Sequence, residues 1–202
     1  MNLSTEEKFE KMKEIRDEII GLKESSLYDY RIQNGNLPVI GEGDHDASIM
    51  FVGEAPGKNE AKTGRPFCGA SGRIFDELLT FISIDRKKVY VTNIVKDRPP
   101  ENRDPLPEEI SLYGPFLERQ IALIQPKILV GLGRFSSVYV MNLIGLSADV
   151  KPISQMHGEI FKGAFQGKEM TCIPLYHPAV AIYNIHEKET LKKDFEALKS
   201  YI

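Results

Sequence analysis

A chain of 202 residues has room for one domain with a substantial core, and two full domains would be cramped in it. With 42% hydrophobic and 27% charged residues it reads as an ordinary soluble protein, and no apolar run is long enough to span a bilayer. The net charge of −3 argues against a globally cationic nucleic-acid binder, yet residues 58–103 carry ten Lys or Arg against six Asp or Glu, enough local positive charge to draw phosphates to a cleft.

In chain order, residues 5–23 show a helical pattern, with Phe9, Met12, Ile15, Ile19 and Leu22 on one face. The charged start is unlike a secretion signal. The only cysteines, Cys68 and Cys172, are far apart, which points to a reducing cytosol without a disulfide framework or a cysteine-held metal. The expected location is therefore cytoplasmic. An irregular stretch through Asn34, Pro38 and Gly43 precedes a buried strand at 48–53. A helix is predicted at 70–81, a strand at 88–92, and a helix at 107–124 that opens on Pro107 with acids in its first turn. A strand at 127–131, a helix at 135–144, a β-ribbon around 159–165, a strand at 170–174 and a helix at 187–201 complete the chain. Strands alternating with helices predict a three-layer α/β/α fold around a four-stranded, mainly parallel sheet. A single domain, 1–202, is expected, with the N-terminal helix of residues 1–24 packed on it.

Residues 51–93 are the densest in information. Two apolar strands run into loops crowded with Gly, Pro, Asn and charge, the arrangement that builds a crevice at the carboxyl ends of a parallel sheet. Two phosphate-binding motifs are set aside here. Gly53-Glu-Ala-Pro-Gly57-Lys58-Asn59 is one residue short between its glycines and has Asn where a phosphate loop needs Ser or Thr. Gly131-Leu-Gly133 lacks the third glycine of a dinucleotide fingerprint and reads as a tight strand-to-helix turn. Arg86, Lys87 and Lys88 read as cations solvating a loop.

Four side chains fall at or beyond strand ends and can converge: Glu54, Phe67, Asn93 and His177. A carboxylate, an aromatic face, a bidentate amide and an imidazole suit a planar, hydrogen-bonding ring better than a phosphate or a sugar alone. Taken singly, Phe67 could be core, Asn93 a turn cap, His177 a structural turn residue and Glu54 a surface charge.

GEAPG at 53–57, GRPF at 64–67, TNIVKDRPPENRDP at 92–105 and HPA at 177–179 resemble the family 4 uracil-DNA glycosylases, within the wider uracil-DNA glycosylase superfamily, over most of the chain. The resemblance implies a monofunctional enzyme that hydrolyses the N-glycosidic bond of uracil in DNA and leaves an abasic site, without a metal at the chemical step. It would have Phe67 stack on a flipped-out uracil and Asn93 read its polar edge and reject cytosine. His177 would stabilise charge on the departing O2. The backbone of Gly53, Glu54 and Ala55 would cradle the base, and the Glu54 carboxylate would hold or polarise the attacking water. Lys96, Arg98 and Arg103 would follow the DNA backbone. The partner implied is uracil-containing DNA, with the protein a monomer.

The chain also departs from that family. The resemblance implies four cysteines holding a [4Fe–4S] cluster, but their positions fall on Leu22, Ser25, Asp97 and Tyr113, so no cluster and no other cofactor is expected. After HPA the family has an Arg that reaches into the DNA, where this chain reads Val180-Ala181-Ile182-Tyr183. Tyr183 is the candidate wedge instead. His157, in place of an Arg before the late ribbon, is a further candidate for the pocket or a phosphate. A uracil-DNA binding protein with little turnover, or a glycosylase for another deaminated base, remain as alternatives.

Overall fold

The computed structural model describes residues 3–184 and 186–201. Its strands are β1 (Glu42–Gly43), β2 (Ile49–Gly53), β3 (Tyr90–Asn93), β4 (Ile128–Leu132), β5 (Phe161–Phe165) and β6 (Lys168–Leu175). The α-helices are α1 (Thr5–Ile20), α2 (Tyr28–Gln33), α3 (Lys58–Thr63), α4 (Ala70–Phe81), α5 (Pro107–Ile124), α6 (Arg134–Leu143), α7 (Ile153–Met156), α8 (Val180–Tyr183) and α9 (Glu187–Glu196). The sheet runs β1-β3-β2-β4-β6-β5, with β3, β2, β4 and β6 parallel and the two edge strands antiparallel.

The expected four strands are the parallel centre of six. β1 has only two residues and carries no alternation to read. The ribbon around 159–165 is β5 paired with β6 through Gln166 and Gly167, both at positive φ, the backbone of a tight hairpin turn. Helices α2 and α3, each of six residues, were not anticipated within stretches that read as loop.

Every residue of β2, β3 and β4 is buried, as parallel strands covered on both faces require. Side chains alternate between two cores. Met50, Val52, Leu129 and Cys172 pack with Met12, Ile15 and Ile19 of α1 and Tyr113 and Leu117 of α5. Phe51, Val130 and Ile173 pack with Phe75 and Leu79 of α4 and Phe195 of α9. Helix α1 starts on a capping box in which Ser4 and Glu7 satisfy each other's backbone N–H groups. The carboxyl ends of the parallel strands share one edge of the sheet, so the loops after β2, β3 and β6 meet there.

Candidate active site

In the β2–β3 register Gly53 stands beside Asn93, and the chain stays zipped past the strand ends through Ile94 N–H to Gly53 O (2.9 Å) and Val95 N–H to Glu54 O (3.0 Å). A side chain at position 53 would lie 2.3 Å from Asn93 Oδ1 and 2.9 Å from the Phe67 ring, so only glycine leaves both groups in place. Asn93 is buried, and among the described residues its side-chain amide has no hydrogen-bond partner.

Phe67 is also buried, with φ of 47°, a left-handed backbone that costs an aromatic residue about 1–2 kcal/mol. It is held from both sides. Glu60 Oε1 accepts from Cys68 N (3.0 Å) and Gly69 N (2.8 Å), while Arg86 donates to Phe67 O (3.0 Å) and Pro66 O (2.7 Å). Gly72 lets the backbone of α4 approach, since a side chain there would meet Phe67 O at 1.9 Å. The Phe67 ring lies 5.5 Å from the His177 ring, centroid to centroid.

His177 follows β6, and Ala179 N–H donates to its Nδ1 at 3.1 Å. An accepting Nδ1 puts the proton of the neutral ring on Nε2. Burial lowers the imidazole pKa to about 4, so the ring is neutral at physiological pH. Gly133, at φ of 94°, backs this residue, and a side chain there would come 3.2 Å from His177 Cβ. Burial, then repulsion from Asp104, raises the Glu54 carboxyl to about 7, against the pull of Arg134.

These groups line a cavity of about 310 Å³ that includes Glu54, Phe67, Ser71, Asn93, Asn102 and His177. Ala55 also lines it, whereas Gly53 does not reach the lining and packs behind Asn93 and Phe67. Larger clefts exist, one of 390 Å³ against α1 and one of 540 Å³ beside His157, but neither gathers an amide, an aromatic ring and an imidazole around a carboxylate.

Of the expected row of DNA-facing cations, Lys96 requires correction, while Arg98 and Arg103 stay partly exposed and are paired within the protein. Lys96 has no exposed surface: its Nζ donates to Gln120 Oε1 (2.6 Å), Asn93 O (2.7 Å) and Thr92 Oγ1 (2.8 Å). Burial lowers its pKa well below that of a free lysine. Arg103 is committed to both carboxylate oxygens of Glu109 at 2.6 and 2.9 Å, and Arg98 Nε donates to Asn102 Oδ1 at 2.7 Å. His157 is tied to Asp194 at 2.8 Å and packs on Tyr176, outside the cavity. Tyr183, on α8 after His177, is 89% exposed, a placement that suits a wedge. Arg86 clamps the Phe67 loop instead of solvating one.

Sequence reasoning missed Glu60, Arg86, Asn102 and two cations. Lys58 and Arg73 are exposed; Lys58 follows Gly57 and Arg73 lies two residues beyond Ser71, both of the cavity wall. Their only sequence signal was the charge excess of this segment.

Among the described residues no group of three or more His, Cys, Asp or Glu is placed to hold a metal ion. At the positions that the family resemblance gives to cluster thiolates, Tyr113 Oη donates to Asp97 Oδ2 (2.6 Å) and lies 2.9 Å from Ser25 Oγ, with Leu22 packed against the same core. These donors do not fit an iron–sulfur cluster, which is bound by thiolates.

The family model described as the uracil DNA glycosylase superfamily matches residues 40–199. A type-4 uracil-DNA glycosylase of Sulfurisphaera tokodaii is 40% identical over 93% of this chain and 83% of its own length. The type-4 enzyme of Archaeoglobus fulgidus is 38% identical over 94% of this chain and 92% of its own. That of Thermotoga maritima is 39% identical over 81% of this chain and 82% of its own.

Proposed function

The chain belongs to the uracil-DNA glycosylase superfamily, and on that premise we propose that it hydrolyses the N-glycosidic bond of uracil in DNA, leaving an abasic site. The observation that carries this reading is the unpartnered Asn93 amide, facing the same small cavity as Phe67 and a neutral His177. Uracil turned out of the helix stacks on Phe67. The amide oxygen of Asn93 accepts from N3–H, and its NH₂ donates to O4. Cytosine offers the reverse pattern and is refused.

As the C1′–N1 bond breaks, the electron pair passes into the uracil ring and charge gathers on O2. The Nε2–H of His177 stabilises that oxygen as a neutral donor. A water held by Glu54 attacks C1′ of the oxocarbenium-like sugar and gives its proton to the carboxylate. Exposed Lys58 and Arg73, together with Arg134 beside Glu54, supply positive charge for the phosphates. Tyr183 fills the gap left by the extruded nucleotide. The reading includes one domain acting as a monomer in the cytoplasm.

The test is a labelled duplex with a single uracil, incubated with protein and then treated with alkali to cut abasic sites. The expected result is cleavage at the uracil, lost by at least about 100-fold in Asn93→Ala. Tight binding of that duplex with no cleavage would favour a uracil-DNA binding protein instead. Unchanged cleavage by Asn93→Ala would overturn the pocket.

A further inference from the structure

Residues 25–31 grip the turn that follows β3 at three points. Arg31 is buried, and its guanidinium donates to both Asp97 oxygens (3.0 and 3.2 Å) and to Ile19 O (3.0 Å) at the end of α1. Tyr113 joins the same carboxylate to Ser25. Arg98 Nη1 donates to Tyr30 Oη at 3.4 Å, and Ser26 Oγ donates at 3.0 Å to Glu109, the carboxylate that holds Arg103.

The turn held in this way is strained. Glu101 has a left-handed backbone, at φ of 55°, which persists in such a residue only where the surroundings impose it, and Asn102, a residue that tolerates this region, follows at 56°. Asn102 lines the cavity beside Glu54 and His177. Its Oδ1 is occupied by Arg98, which leaves Nδ2 to donate and places a guanidinium behind the amide. A donor-only amide polarised by a cation suits an anionic acceptor, and the anionic part of this substrate is its phosphodiester.

We propose that Asn102 binds a backbone phosphate next to the extruded nucleotide, and that the Ser25–Tyr113–Asp97–Arg31 network is the positioning device that holds Asn102 at the cavity mouth. This deepens the glycosylase reading and rests on it. The network stands at three of the four positions that the family resemblance gives to cluster thiolates, so hydrogen bonds tie a corner that metal would tie elsewhere.

The experiment compares wild type, Asn102→Ala, Tyr113→Phe and the double variant at 25 °C, on duplexes with ordinary or methylphosphonate linkages flanking the uracil. Both excision and affinity by fluorescence anisotropy are read. Asn102→Ala is expected to lower kcat/KM and affinity about 10-fold, the worth of one charged hydrogen bond. Neutralising the critical linkage should cost wild type a similar factor and Asn102→Ala nothing further. Tyr113→Phe should lose about 3–10-fold, and the double variant should be no worse than Asn102→Ala, as coupled residues behave.

Multiplicative losses in the double variant would overturn the positioning role, as would a Tyr113→Phe protein with a lower Tm but wild-type kcat/KM and affinity. Equal sensitivity of wild type and Asn102→Ala to methylphosphonate would overturn the phosphate contact. Should Tyr113→Phe not fold, Ser25→Ala removes one hydroxyl of the same network and carries the same comparison. A wild type without excision would fault the glycosylase reading alone, because the anisotropy comparison still decides this one.

Discussion

Glu54 carries the largest tension in the pocket, because its carboxylate sits where burial and Asp104 oppose its charge. Its folded pKa of about 7 lies above the ordinary 4.5, so the stability tied to its protonated form is full at low pH and lost as pH rises through 7. Glu54→Gln should therefore match wild type in Tm near pH 5 and exceed it at pH 8. With the shift discounted for partial exposure, the gain is about 1 kcal/mol, or roughly 2–4 °C. Excision by the wild type should climb between pH 6 and 8 about a midpoint near 7, with no second limb from His177, whose pKa of about 4 keeps it neutral throughout. A flat profile, or an active Glu54→Gln, would remove Glu54 from the water-activating role. Lys96 raises a different question. Lys96→Met strips Gln120, Thr92 and the Asn93 carbonyl of their shared donor, and should cost about 2–3 kcal/mol of stability by thermal melting. The salt dependence of DNA binding should stay unchanged, since this ammonium meets no phosphate.

Helix α8 is short, but it carries the exposed Tyr183 one short turn of chain beyond His177. If the ring wedges into the base stack, Tyr183→Ala should reduce excision from duplex at least about 10-fold and from single strands little, because an unpaired uracil needs no extrusion. Equal losses on both substrates would assign Tyr183 another role. The long elements were legible in the sequence because strands buried on both faces, such as Ile49–Gly53 and Ile128–Leu132, print as unbroken apolar runs. Helix α5 announces itself through Pro107 and its acidic first turn. The two residues of β1 and the six each of α2 and α3 are too short for a period to show, and they form because the surrounding core holds them.

Across the whole molecule, the convergence of the four cavity residues was legible and the internal partners of the cations were not. Glu54, Phe67, Asn93 and His177 lie at or after strand ends, and topology alone brings such positions together. No periodicity tells an inward Lys96 from an outward one. Arg98 and Arg103 found their partners in Asn102 and Glu109 only once the turn had closed on α5. Glu60 and Arg86, which fix Phe67, act on backbone groups, and their identity gives no sign of that task.

The strand order has a consequence for how the chain matures. β2 lies between β3 and β4, and β6 reaches the sheet only through β4, so roughly 120 residues separate Glu54 from His177 along the chain. Parallel pairings over such spans form late, after the loop entropy between them has been lost. A nascent copy still on the ribosome, with β6 not yet emerged, has Glu54, Phe67 and Asn93 but lacks His177, so the cavity cannot close around all four groups. The cavity is complete only once the last parallel strand has docked.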